Sequence, residues 1–346
     1  MNKKMLYTML MVVLGMLACV SSSTPAATEA PADAPVLVTV TLNPTSVPAS
    51  STPEIQHVDV PGELPVLQSA LAGDQDSSVT AEEMRAPGGD RFTFGRYERP
   101  FNADVMDVYF PEIDILKYRI FRDNTWVYIE MELKEGDEAG KLSGKYGVEL
   151  DLDLDGRGDW LVLAHRPSST DWSTDEVEVW FDTNNDVGGL VSIAADEQSD
   201  GNGFETLLFD GGKGDDPDLA WVRVSPGQPN TIHIAFKSAL LEDSNVFMAG
   251  VWAGTDDLDP SMFDLNDHFT HDQAGSSLVE FEFYYPIKAI SEIDNACRVA
   301  VGFQPTGGEP GICPVVPKED EDGGCPPEYT YCIPFGQQIV CYCLQP

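Results

Sequence analysis

Aspartates at short, regular spacing carry most of the chemistry legible in this chain. Residues Val148–Trp160 read V-E-L-D-L-D-L-D-G-R-G-D-W. Asp151, Asp153, Asp155 and Asp159 stand at positions 1, 3, 5 and 9 of a loop, with Gly156 at position 6 and Arg157 at position 7. A hard cation such as Ca²⁺ takes about six to eight oxygens at about 2.3–2.6 Å, and a chain turning sharply through a glycine can bring that many to one point. The expected ligands are the four carboxylates and the main-chain carbonyl of Arg157. The competing reading is a solvated acidic hairpin tip. Four carboxylates this close repel one another, which a solubilising tip does not require.

The spacing resembles the first half of an EF-hand loop, but position 12 is Val162 instead of a bidentate glutamate. A second stretch, Phe181–Gly189, sets Asp182, Asn184 and Asp186 at the same 1, 3, 5 spacing. Oxygen ligation fits it, and so does a plain Asn/Gly turn. Asp210–Asp218 is acidic without regular spacing and reads as a turn. Within Asp264–Asp272, the residues Asp267, His268, His271 and Asp272 offer a zinc set, although histidines in a loop more often serve local hydrogen bonding. No G-x-S-x-G elbow, Walker loop or dinucleotide glycine loop occurs, so the chain reads as non-catalytic.

The elements that must position these loops are strands. Tyr146, Val148 and Leu150 alternate before the first loop, and Trp160–Ala164 is a short apolar run after it. In Trp126–Leu133, Val127, Ile129, Met131 and Leu133 share one face, opposite Trp126, Tyr128, Glu130 and Glu132. About a dozen such segments, from Val105–Phe110 to Val279–Tyr284, have no long helices between them; only Ser238–Leu241 hints at a helical turn. The expected fold class is therefore all-β: an antiparallel β-sandwich with one wet side to each sheet and a loop-rich, disulfide-stapled C-terminal tail. In a meander, Asp151–Asp159 and Asp182–Gly189 fall at the same end of the sheet. Asp210–Asp218 joins them if Leu190–Ala194 and Phe204–Phe209 continue the alternation.

The 346 residues include 58 Asp and Glu against 20 Lys and Arg, a net charge of −38. That field repels nucleic acid and anionic lipid surfaces, and it suits calcium, cationic partners or neutral sugars. Residues 1–19 read as an export signal: Lys3 and Lys4, then an apolar core too short to span a bilayer, then Met16-Leu17-Ala18-Cys19. This ending resembles a bacterial lipobox, with Cys19 as the lipidated residue; an ordinary cleaved signal is the alternative. Residues 20–89 are rich in Ser, Thr, Pro and Ala at their start and read as a tether, 90–286 as the sandwich, and 287–346 as a Cys-rich tail. Of the 7 cysteines, all except Cys19 lie in that tail. Cys297, Cys313, Cys325, Cys332, Cys341 and Cys343 are an even set in an oxidising compartment, which suggests complete pairing of undetermined connectivity.

Three stretches together resemble the DOMON-like β-sandwiches, a superfamily with glucodextranase-type C-terminal domains and family-nine carbohydrate-binding modules. They are Asp114–Leu133 as the opening hairpin, Tyr146–Gly156 as the central strand with its acidic loop, and Thr231–Leu241 as a strand followed by a small turn. The resemblance covers residues 90–286 and implies a non-catalytic sandwich that binds calcium and often sugars. The reading is then an exported lipoprotein of the bacterial envelope, outward-facing and lipid-anchored or else secreted, with Ca²⁺ as its cofactor. Its partner is a carbohydrate or another envelope component, it binds no nucleic acid, and it meets the membrane only through the lipid anchor. Two alternatives are a structural or adhesion module with purely structural calcium, and a metal-dependent hydrolase using His268. Cys19→Ser should release the protein from membranes into the medium. A native N-terminus other than Cys19 would show that there is no anchor.

Overall fold

The computed structural model describes residues 55–84, 97–102, 107–187, 202–242, 244–256, 258–263 and 291–313, and the backbone of 331–335 and 338–342. Its strands, in chain order, are β1 (Gln68–Gly73), β2 (Glu98–Arg99), β3 (Ile115–Arg122), β4 (Trp126–Leu133), β5 (Lys145–Asp151), β6 (Trp160–His165), β7 (Val177–Phe181), β8 (Thr206–Asp210), β9 (Ala220–Ser225), β10 (Gln228–Lys237), β11 (Phe247–Gly254), β12 (Ile293–Asn295), β13 (Val299–Val301), β14 (Tyr331–Phe335) and β15 (Gln338–Tyr342). One sheet has the order β1-β3-β4-β10-β9. The other runs β2-β12-β11-β5-β6-β7-β8, with β13 also paired to β11. All of these pairings are antiparallel, and β14 and β15 form a separate hairpin. The chain is an all-β antiparallel sandwich.

The inner faces follow from the period-two pattern. Val127, Ile129 and Met131 of β4 and Ile232, Ile234 and Phe236 of β10 meet Val148 and Leu150 of β5 and Ala249 and Val251 of β11 in one core. Successive strand residues point to opposite faces, so this alternation buries one side of each strand. Tyr118 crosses the core from β3: its one hydroxyl proton is shared between the carbonyls of Ala249 at 2.9 Å and Cys297 at 2.7 Å.

The outer faces are drier than alternation alone suggests. Phe121, Trp126, Tyr128, Trp221 and Ala235 cluster on the outside of the five-stranded sheet. Residues before β1 strap this face. The backbone N–H groups of Val58 and Asp59 each donate to Asp218 Oδ2 at 2.8 Å, the Gly62 N–H reaches Tyr128 Oη at 3.3 Å, and Glu63 pairs with Arg223 at 3.0 Å. Leu161, Leu163 and Trp252 form a further cluster with Phe204 and Phe263 outside the larger sheet.

Two boundaries differ from the sequence reading. Part of the presumed tether, Gln68–Gly73, is an edge strand paired to β3, and Ser78–Ala81 is a helical turn. The open edge of β3 supplies backbone partners that composition does not reveal. Part of the presumed tail, β12 and β13, completes the ladder along β11, and Cys297 and Cys313 form a disulfide between the sheet and the segment beyond it. Cys332 and Cys341 occupy facing positions of the β14–β15 ladder, while Cys19, Cys325 and Cys343 lie outside the described residues. Val105–Phe110 is not a strand where it is described; only Tyr109 bridges, to Phe101. Leu190–Ala194 and Val279–Tyr284 lie outside the described residues.

Tyr118→Phe should leave two buried carbonyls without this donor and cost about 1–3 kcal/mol of stability. Chemical denaturation with an unchanged slope would measure it, and no change in midpoint would show that the hydroxyl does not tie the sheets together.

Candidate metal centre

The loop between β5 and β6 is shaped by its own carboxylates. Asp151 ends β5, buried, and accepts from two backbone N–H groups: Leu154 at 2.7 Å on Oδ1 and Gly156 at 2.9 Å on Oδ2. Asp153 accepts from Asp155 N–H at 3.1 Å, and Asp155 from Arg157 N–H at 2.8 Å. Asp159 reaches back to Leu152 N–H at 2.6 Å. Gly156 has φ +94°, a left-handed conformation that a side chain would strain. These contacts coil the loop so that one oxygen each of Asp151, Asp153 and Asp159 lies within 4.8 Å of the other two. Two oxygens each about 2.4 Å from one Ca²⁺ can be at most about 4.8 Å apart, so these three oxygens do not exceed the span of one such ion.

Behind the loop lies a buried charge pair that the sequence reading did not single out. Glu149 accepts from Trp252 Nε1 at 2.7 Å and from Arg298 Nη2. Arg298 also donates from Nη1 to the Gly156 carbonyl at 2.5 Å, and that nitrogen stands 3.8 Å from Asp151 Oδ2. The arginine comes from the far side of β11 and passes over Gly250, where a Cβ would stand 3.2 Å from its Cγ. Its own backbone is latched beside the disulfide: Arg298 N–H donates to Gly311, and Cys313 N–H to the Arg298 carbonyl. The sequence hint is a charge at Glu149, between Val148 and Leu150, which alternation turns to the opposite face.

The second acidic loop lies against the first. Asp182 N–H donates to the Asp159 carbonyl at 3.0 Å, Asn185 Nδ2 to Asp155 Oδ2 at 3.1 Å, and Arg157 Nη1 to the Val187 carbonyl at 3.1 Å. Within that loop Asp182 accepts from the N–H groups of Asn184, Asn185 and Val187. Asn184 Nδ2 donates to Asp186 Oδ2 and Asn202 Oδ1, each at 2.9 Å. Among the described residues no third carboxylate joins Asp182 and Asp186 as one joins Asp151 and Asp153. The third stretch is elsewhere. Because β7 pairs directly with β8, Glu178 faces Asp210 and Gly211 N–H bonds the Val177 carbonyl, at the opposite end of the sheet from Phe181. Its acids serve as anchors: Asp216 holds Lys237, and Asp218 holds the strap. Asp267, His268, His271 and Asp272 lie outside the described residues.

A second group of three converging carboxylates, Asp74, Glu98 and Asp294, was not anticipated. Asp294 faces Ala253 on β11 and Asp151 faces Met248, so the two groups are five positions (248 to 253) or about 17 Å apart along one strand. Compared with protein-family models, with curated proteins and with solved structures, the chain matches none.

Burial pushes the Asp151 carboxyl up to about 7, against the pull of Arg298 and the loop N–H groups. Burial, with repulsion from Asp153 and Asp155, pushes Asp159 up to about 6. Without a cation, the folded state therefore holds these protons more tightly than the unfolded chain does. Stability from this source is complete below the unfolded aspartate value and is lost as pH rises through the folded values. In chelator, the melting temperature should fall between about pH 5 and about pH 8, and Asp151→Asn should flatten that fall. A chelated melt that rises over this range would contradict the assignment.

Proposed function

We propose that this chain is an exported, lipid-anchored envelope protein whose sandwich is stabilised by calcium and binds a surface ligand, with carbohydrate as the leading class. The observation that carries the calcium reading is the convergence of Asp151, Asp153 and Asp159 on one point in a loop already shaped by backbone hydrogen bonds. A preshaped loop needs little further ordering when the ion arrives. The ion offsets repulsion that Arg298, already engaged by Glu149 and Gly156, relieves only in part. The lipobox-like Cys19 and the apolar run before it support the anchor.

For the ligand, the tryptophans narrow the choice. Trp126, Trp160, Trp221 and Trp252 are buried, while Trp172 and Trp180 are half-buried. Trp172 adjoins a groove lined by His165, Arg166, Ser169, Ser173, Glu176 and Arg223, and it stacks on the Arg223 guanidinium at 4.5 Å. Hydroxyl and charged groups beside an indole are the elements that bind sugars, by hydrogen bonding and by stacking. The burial of the other four tryptophans favours, as a second reading, a structural envelope module whose aromatic residues serve packing alone.

Calcium should raise the melting temperature relative to chelator, and Asp153→Ala should remove a large part of that rise. An equal rise in the variant would move the ion away from this loop. A glycan array with calcium-loaded protein should show binding that Trp172→Ala weakens at least tenfold. Absence of any binding by folded, calcium-loaded protein would leave the structural reading.

A further inference from the structure

We propose that Asp74, Glu98 and Asp294 form a second, buried cation site, taking Ca²⁺ or a similar hard divalent ion, that ties the two sheets together at the end of β11 away from the Asp151 loop. Four segments meet there. Asp74 follows β1, and Asp114 precedes β3, both in the five-stranded sheet. Glu98 lies in β2 and Asp294 faces it in β12, both in the larger sheet. One oxygen each of Asp74, Glu98 and Asp294 lies within 4.8 Å of the others, the same span as in the Asp151 loop and within reach of one calcium. Ser77 joins Asp114 to the group: its N–H donates to Asp114 Oδ2 at 3.1 Å and its hydroxyl to Glu98 Oε1 at 2.6 Å.

Convergence of acids alone does not define a site; the condition of their oxygens does. Asp294 is fully buried, with Oδ2 accepting from Ile115 N–H at 2.6 Å. Its Oδ1, the oxygen left for the cluster, has no hydrogen-bond partner among the described residues. Asp114 is also fully buried, and its Oδ1 is likewise without one. A buried polar atom left unmatched is rare in folded proteins and points to a missing water or ion. The donors that are present, backbone N–H groups and hydroxyls of Ser77 and Tyr109, favour carboxylates in their charged form.

Two described cations border these segments. Lys134 is held by Asp76 at 2.6 Å and acts on Asp114. Arg99 follows Glu98 in the strand, is directed to the other face of β2 by alternation, and lies 5.9 Å from the Tyr97 ring. Burial, followed by repulsion from Asp74 and Asp114, holds the Asp294 carboxyl well above its usual range in the ion-free state. Asp74, half-buried, is the most exposed of the three and stands at the rim of the group.

Metal content tests the site separately from the loop. Protein loaded with calcium and freed of excess ion would be analysed by mass spectrometry as wild type, Asp153→Ala, Glu98→Gln and the double variant. Glu98→Gln should bind one ion fewer than wild type, and should do so again in the Asp153→Ala background. Glu98→Gln should also gain less in melting temperature than wild type on adding calcium. Unchanged metal content in Glu98→Gln overturns the buried site and leaves the loop standing. Loss of an ion in Glu98→Gln with none lost in Asp153→Ala does the reverse. If Glu98→Gln fails to fold, Asp74→Asn at the rim is read in the same assay, and unchanged content there overturns the site equally.

Discussion

The ion pair between Arg298 and Glu149 is the contact on which the acidic loop between β5 and β6 rests. Both partners are buried, so removing either one would strand an uncompensated charge, a loss that typically costs about 3–5 kcal/mol. The pair also transmits position. Glu149 fixes the strand that leads into Asp151, Trp252 fixes Glu149 from β11, and Arg298 holds the Gly156 carbonyl at the tip of the turn. The disulfide Cys297–Cys313 and the backbone contacts around it hold the segment from which Arg298 reaches across. The C-terminal region is thus a brace for the acidic loop through one guanidinium.

The same sandwich handles acidic residues in three physically different ways. Asp216 and Asp218 are neutralised by a lysine and by backbone N–H groups, and hold loops and strap in place. Asp182 satisfies its own turn. Asp151 with Asp153 and Asp159, and Asp74 with Glu98 and Asp294, converge on one another instead. Net charge alone does not separate these classes. Among the described residues, the distinction lies in how many donors each oxygen meets after folding.

The strap across the five-stranded sheet bears on function through what it covers. It lies over the face that carries Trp126, Tyr128 and Trp221, with the His57 ring 4.7 Å from that of Trp221. These aromatic residues are thereby covered by the protein's own chain. Trp172 donates from Nε1 to the Gly62 carbonyl and stands beside the strap, next to the groove that runs from His165 to Glu176.

Much of the fold was legible because its cause is local. Period-two alternation in Trp126–Leu133 and Thr231–Lys237 predicts buried faces, and those faces are buried. The spacing of Asp151, Asp153, Asp155 and Asp159 around Gly156 predicts a coiled acidic loop between strands, and a meander places Asp182–Val187 beside it. Tertiary structure decided what depends on partners distant in sequence. The placement of Asp210–Asp218 turned on whether β7 meets β8 directly, and Gln68–Gly73 became a strand because β3 had an open edge. Glu149 faces outward by alternation, yet Arg298, separated from it by 149 positions, closes over it. Asp74, Glu98, Asp114 and Asp294 share no spacing at all. Charge converges there because two sheets meet at that corner, and a linear pattern records separation along the chain, not separation in space.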